Sequence, residues 1–136
     1  MEEDNMGKCN NLIVHCMDYR LQDTIDDWIK ERGLNGKIDR ISIGGPCKDI
    51  EFAMKYIKTC IEKHGVKSVY LTQHEDCAGY GGHDAFTSLD AERERLTDDM
   101  MDLKANIKLL YPKVEVHTIL MREDDEGWDM VDMGKD

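Results

Sequence analysis

The sequence predicts an α/β fold: a three-layer, mainly parallel sheet of four or five strands with helices on both faces. Three observations carry this expectation. Short apolar runs of strand character alternate with segments whose apolar residues recur every three to four positions. The connections between successive strands are too long for hairpins and imply right-handed crossovers between parallel strands. A length of 136 residues fits one domain with one core.

The first strand is residues 11–15, an apolar run (Leu12, Ile13, Val14) suited to burial on both faces. Leu21, Ile25, Trp28 and Ile29 then recur at helical spacing. Thr24 with Asp27 three residues later resembles a capping box, and Gly33 can close the helix in the left-handed conformation. The second strand, 37–43, alternates Ile38, Ile41 and Ile43 with polar residues and stops at Gly44, Gly45 and Pro46. Ile50, Ala53, Met54, Ile57, Cys60 and Ile61 mark a second helix ended by His64 and Gly65.

Residues 66–72 form a third strand, and a glycine-rich loop over 78–82 follows. Thr87 or Ser88 can cap a long third helix whose apolar face runs from Leu89 to Leu110, where Tyr111 and Pro112 stop it. A fourth strand covers 114–121. The organisation expected is a flexible segment over 1–10, one α/β domain over 11–122, and an acidic, solvated tail over 123–136.

Charge sharpens that division. The chain carries 29 acids against 18 bases, a net charge of −11. Residues 123–136 hold seven acids and one base, and residues 1–8 three acids and one base, so positions 9–122 net only −3. The overall field repels polyanions, which argues against nucleic acid or an anionic membrane surface as partner. No apolar run approaches the roughly 20 residues that span a bilayer. The amino end is acidic where a signal peptide would be basic, so a cytoplasmic location is expected. Five cysteines, an odd number, make a disulfide framework the wrong expectation and leave buried thiols, metal ligands or a reactive thiol.

In an open parallel sheet, functional groups collect beyond the carboxyl ends of strands, near the point where strand order reverses. Past the first strand lie Cys16, Asp18 and Arg20; past the second, Gly44, Gly45 and Cys47; past the third, His74 and Cys77. Two thiolates and an imidazole suit zinc. The spacing of His74 and Cys77 lets one short turn chelate an ion. Asp18 can occupy a fourth position or accept a hydrogen bond from bound water while Arg20 keeps it ionised. A surface ion pair between them would be the plainer alternative.

Cys-x-Asp-x-Arg (Cys16, Asp18, Arg20) followed by His-x-x-Cys (His74, Cys77) resembles the β-class carbonic anhydrases, and most closely their short, carbonic-anhydrase-like prokaryotic branch. The resemblance implies Zn2+ held by Cys16, His74 and Cys77, with Asp18 and Arg20 as a catalytic dyad. It implies a lyase that hydrates carbon dioxide reversibly to bicarbonate through zinc-bound hydroxide. It also implies a closed state in which Asp18 is the fourth ligand, and a homodimer or higher homo-oligomer. Relatives that hydrolyse carbonyl sulfide or carbon disulfide use the same zinc site. Members of usual length carry a helical arm before the first cysteine, and with only 15 residues ahead of Cys16 that arm is expected to be missing.

The alternatives from other classes are a zinc-binding regulatory domain without activity, and thiol redox chemistry in which Cys47 joins Cys16 and Cys77. Gly44, Gly45, Cys47, Tyr80 and His83 are the expected pocket residues, with His83 a candidate proton shuttle near neutral pH. Cys60 reads as a core thiol, Cys9 as a terminal thiol without a role, and His15 as a packed or hydrogen-bonded residue on the opposite face from Cys16.

Overall fold

The computed structural model describes residues 7–134. Five strands form one sheet in the order β2-β1-β3-β4-β5. The strands are β1 (Asn11–Cys16), β2 (Ile38–Ile43), β3 (Ser68–His74), β4 (Glu115–Asp124) and β5 (Gly127–Gly134). β1, β2, β3 and β4 pair in parallel, and β5 runs antiparallel to β4. The α/β expectation therefore holds, with the sheet mostly parallel.

The helices are α1 (Gln22–Glu31), α2 (Ile50–Thr59) and α3 (Leu89–Leu110). The β1-α1-β2 crossover moves one way along the sheet, and the β2-α2-β3 and β3-α3-β4 crossovers move the other way. Right-handed connections then put α1 on one face and α2 with α3 on the opposite face. Contacts agree. Trp28 of α1 meets Tyr70 of β3 edge to face at 4.9 Å. Gln73, three residues on and so on the other face of β3, donates to the Leu96 carbonyl of α3.

β1 is an interior strand of the sheet, paired on both sides, with Leu12, Ile13 and Val14 fully buried. α1 contributes Ile25 and Ile29, and α3 contributes Leu96, Met100, Leu103 and Ile107. Each such side chain contributes about 1.5–3 kcal/mol on burial, so the helical spacing seen in the sequence is also the energetic reason the helices dock.

Local signals account for most boundaries. Ser88 caps α3, accepting from the Ala91 N–H at 3.0 Å. Asp49 caps α2 by accepting from the Phe52 N–H. α2 continues as a π-helical turn over Cys60–His64 and stops at Gly65, whose φ of 76° is left-handed. The capping box expected from Thr24 is corrected: α1 begins at Gln22, directly after a 3-10 turn over Tyr19–Leu21, so Thr24 already lies inside the helix. The Asp18 side chain caps that preceding turn instead, accepting from the Arg20 N–H at 2.9 Å.

The acidic tail needs a larger correction. Residues 123–134 are not a solvated end: Glu123 and Asp124 finish β4, Asp125 and Glu126 make the two-residue turn, and the chain returns as β5. Trp128, Met130 and Met133 pack against the core, which outweighs the local charge. Asp129 and Asp132 stay exposed on this edge strand, where charge discourages pairing with another sheet. Lys135, Asp136 and the first six residues of the expected flexible 1–10 segment lie outside the described residues. Within that segment, the Cys9 N–H donates to the His64 carbonyl at 2.9 Å.

Candidate metal centre

The order β2-β1-β3 makes the gap between β1 and β3 the switch point of the sheet, since β2 was added on one side of β1 and β3 on the other. Cys16 ends β1 and His74 ends β3. Cys77 follows in the next turn. The structure brings the three together: their ligand atoms all lie within 4.8 Å of one another, and all three residues are buried.

The geometry fits a metal. Two thiolates on one tetrahedral zinc lie about 3.8 Å apart, given Zn–S bonds of about 2.3 Å. Sγ of Cys16 and Sγ of Cys77 are 4.0 Å apart. His74 Nδ1 donates to the Glu75 carbonyl at 2.7 Å, which fixes the tautomer and leaves Nε2 as an acceptor. Nε2 is buried and has no hydrogen-bond partner, a costly state for a polar atom unless something is to be bound there. Hydrogen bonding from Cys77, with a further contribution from His74, pulls Cys16 toward the thiolate; the same contact and burial push Cys77 up.

Beside the cluster, Arg20 grips Asp18 with both ends of its guanidinium: Nη2 donates to Oδ2 at 2.8 Å and Nε donates to both carboxylate oxygens at 3.2 Å. That contact holds Asp18 below the usual carboxylate range and raises Arg20 further. Oδ2 of Asp18 is 4.0 Å from Nε2 of His74. Asp18 also lines an open cleft of about 600 Å³ together with Tyr19, Arg20, Asp76, Ala78, Gly81 and Gly82. Its carboxylate thus borders both the buried cluster and the solvent side.

A family model described as putative carbonic anhydrase matches residues 6–129. The chain belongs to that family. Two uncharacterized proteins, from Rickettsia bellii and Rickettsia conorii, are each 24% identical over 131 residues, covering 85% of this chain and 78% and 69% of theirs. Among solved structures, a carbonic anhydrase from Glaciozyma antarctica matches with a TM-score of 0.63 at 20% identity, covering 91% of this chain and 81% of that one. A tetrameric β-carbonic anhydrase from Sordaria macrospora gives 0.63 at 15% identity, covering 94% and 82%. A β-carbonic anhydrase from Trichomonas vaginalis gives 0.59 at 18% identity, covering 97% and 87%. At these identities the likeness is one of fold.

Within this carbonic anhydrase fold the expected pocket residues separate. Cys47 is fully buried; its N–H donates to Gln73 Oε1 at 3.1 Å, its thiol faces the Thr72 carbonyl, and burial pushes its pKa up. It neither lines the cleft nor meets the cysteine pair, which corrects its expected place in a pocket or a redox trio. Tyr80 also turns inward, accepting from Gln73 Nε2 and donating to Asp99, each at 2.6 Å. Gly44 and Gly45 support the site from behind: a Cβ on Gly79 would come within 2.8 Å of the Gly45 nitrogen, so the loops after β2 and β3 pass backbone against backbone. The cleft wall is instead Ala78, Gly81 and Gly82. His83 sits nearby, with its Nδ1 donating to Glu92 Oε1 at 2.6 Å, a contact that raises its pKa.

Cys60 and His15 take structural places. Cys60 is half-buried, and burial pushes it up to about 12. His15 is buried, with Nδ1 against the Cys16 carbonyl and Nε2 accepting from Arg40 Nε at 3.2 Å.

Four residues near the site escape sequence reasoning. Trp128 of β5 stands edge-on to His74 at 5.6 Å with Arg20 over its ring at 5.7 Å. Its signal was the apolar alternation after Gly127, hidden among acids. Glu75 is buried, pairs with Arg93 of α3 and accepts the Glu123 N–H at 3.0 Å, fastening the His74 turn to α3 and β4. Asp76 and Glu92 complete the set.

Proposed function

We propose that the chain is a zinc-dependent lyase of carbonic anhydrase type, hydrating carbon dioxide reversibly to bicarbonate. The observation that carries this reading is the buried Cys16, His74 and Cys77 cluster, with His74 Nε2 left unpartnered and the Asp18–Arg20 pair at its open side. Cys16, His74 and Cys77 would hold the metal, which when bound makes water nucleophilic near neutral pH and supplies Lewis-acid chemistry at the substrate oxygen.

The chain's residues do the rest. Asp18, kept ionised by Arg20, accepts a hydrogen bond from the attacking water and orients it toward the cleft. This acceptor matters because two thiolates place more negative charge around the site than three imidazoles would, and so oppose acidification of water. The Glu75 carbonyl accepts from His74 Nδ1, orienting the ring with Nε2 toward the cluster. The substrate side is the cleft bordered by Asp18, Arg20 and Asp76. A homo-oligomer fits the tetrameric state named for the Sordaria relative. A cytoplasmic setting accords with the reduced thiols; no helix among the described residues is long and apolar enough to cross a membrane.

Stopped-flow hydration of carbon dioxide by the zinc-loaded protein tests the reading. A rate above buffer that rises with protein concentration is expected. A rate equal to buffer, with zinc bound and Asp18 off the metal, overturns it.

A further inference from the structure

Arg20 has two acidic partners, and only one of them belongs to the dyad. Nη1 donates to Asp76 Oδ2 at 3.2 Å and Nη2 donates to the Asp76 carbonyl oxygen at 2.9 Å. Asp76 lies between His74 and Cys77 in sequence and is the one non-glycine residue with positive φ, 58°, among those described. That conformation is costly for a side-chain-bearing residue and persists only where the surroundings over-determine it.

Here they do. The Asp76 N–H donates to Glu92 Oε2 at 2.6 Å, and Asp76 Oδ1 accepts the His83 N–H at 2.9 Å. Glu92 is 1% exposed and projects from the first turn of α3, so the anchor is part of the rigid scaffold. The left-handed turn therefore serves to present both a carbonyl and a carboxylate to Arg20.

The consequence falls on Asp18. Its carboxylate is 4.0 Å from His74 Nε2, and carboxylate oxygen is an ordinary zinc ligand. Water and Asp18 thus compete for one open position. What holds Asp18 back is Arg20, and what fixes Arg20 is Asp76. We infer that Asp76 is a positioning residue that keeps the metal site open, by anchoring Arg20 so that Arg20 can hold the Asp18 carboxylate away from the metal.

This inference rests on the zinc reading, and the test separates the two. In the cobalt(II)-substituted protein, thiolate ligation gives charge-transfer absorption, and azide binding to an open position shifts the visible bands. Asp76→Asn is the informative variant: asparagine tolerates positive φ and can still accept the His83 N–H, but it no longer offers Arg20 a charge. Azide affinity should fall about tenfold or more in Asp76→Asn, because the open fraction of the site drops. In an Asp18→Ala background the same substitution should leave azide affinity unchanged, since no carboxylate remains to close the site. Unchanged affinity in Asp76→Asn, or an equal loss in the Asp18→Ala background, overturns the inference. Absence of charge-transfer absorption in the parent protein would instead defeat the zinc reading. Unaltered cobalt stoichiometry and melting temperature in Asp76→Asn exclude simple unfolding as the cause.

Discussion

On the proposed reading Cys77 carries two duties, as a metal ligand and as the residue that starts the turn packed against Gly44 and Gly45. Cys77→Ser should lose bound zinc, because serine offers no soft donor at neutral pH. It should also lower the melting temperature, since metal that binds only the folded state stabilises it by about 2.7 kcal/mol at about 100 Kd of free metal. Metal analysis alongside thermal unfolding checks both, and a variant that keeps full metal content contradicts the ligand assignment. Tyr80 is a purely internal contributor on this account. Tyr80→Phe strips a buried hydroxyl from Gln73 and Asp99 and should cost about 1–3 kcal/mol in urea unfolding while leaving metal content intact.

At the scale of elements, the sheet and its loops decide what the side chains can reach. Gly79→Ala would drive a Cβ into the Gly45 backbone at 2.8 Å, and neither partner is a side chain that can swing away. The loops after β2 and β3 must separate, at a cost of about 1–3 kcal/mol. Zinc affinity should fall with it, because Cys77 lies two residues upstream; competition with a chromophoric chelator reads the loss, and unchanged affinity would mean the turn tolerates separation. Leu103→Ala, in the middle of α3 and fully buried, should cost about 2–5 kcal/mol without touching the site.

The same scale explains what could be read from sequence. Cys16, His74 and Cys77 were legible because Cys16 directly follows the first apolar run, His74 lies two residues beyond the third, and the spacing from His74 to Cys77 fits one short turn. β5 was not, because Asp125, Glu126, Asp129 and Asp132 mask an alternation whose stabilising term, the packing of Trp128 and Met130 beside β4, exists only after folding. Glu92 was invisible among the many charges of α3; only the fold shows that it points inward to the Asp76 turn. Cys47 and Tyr80 were expected at the pocket because they adjoin it in sequence, whereas the fold turns both inward onto Gln73.

For the whole molecule, the charges that remain after the acidic segment is assigned to β4 and β5 act locally. His83 illustrates the sign. Its pKa is raised chiefly by the Glu92 hydrogen bond, with Asp76 and Glu75 adding to the effect. A group whose folded pKa lies above its unfolded value of about 6.5 stabilises fully below that value, and the contribution is lost as pH rises through the folded pKa. Comparing melting temperatures of the protein and His83→Gln across this window should show the difference shrinking as pH increases; a constant difference would show that the His83 charge contributes nothing. The contribution is modest, since the side chain is half exposed.

The central claim is that the meeting point of β1 and β3 is a zinc site made by three residues of this chain. Zinc stoichiometry measured on the purified protein and on Cys16→Ser, His74→Gln and Cys77→Ser tests it most directly. The account predicts one equivalent per chain in the parent and loss of bound zinc in each variant. Parent protein without bound metal after reconstitution, or any one variant retaining the full equivalent, would contradict it.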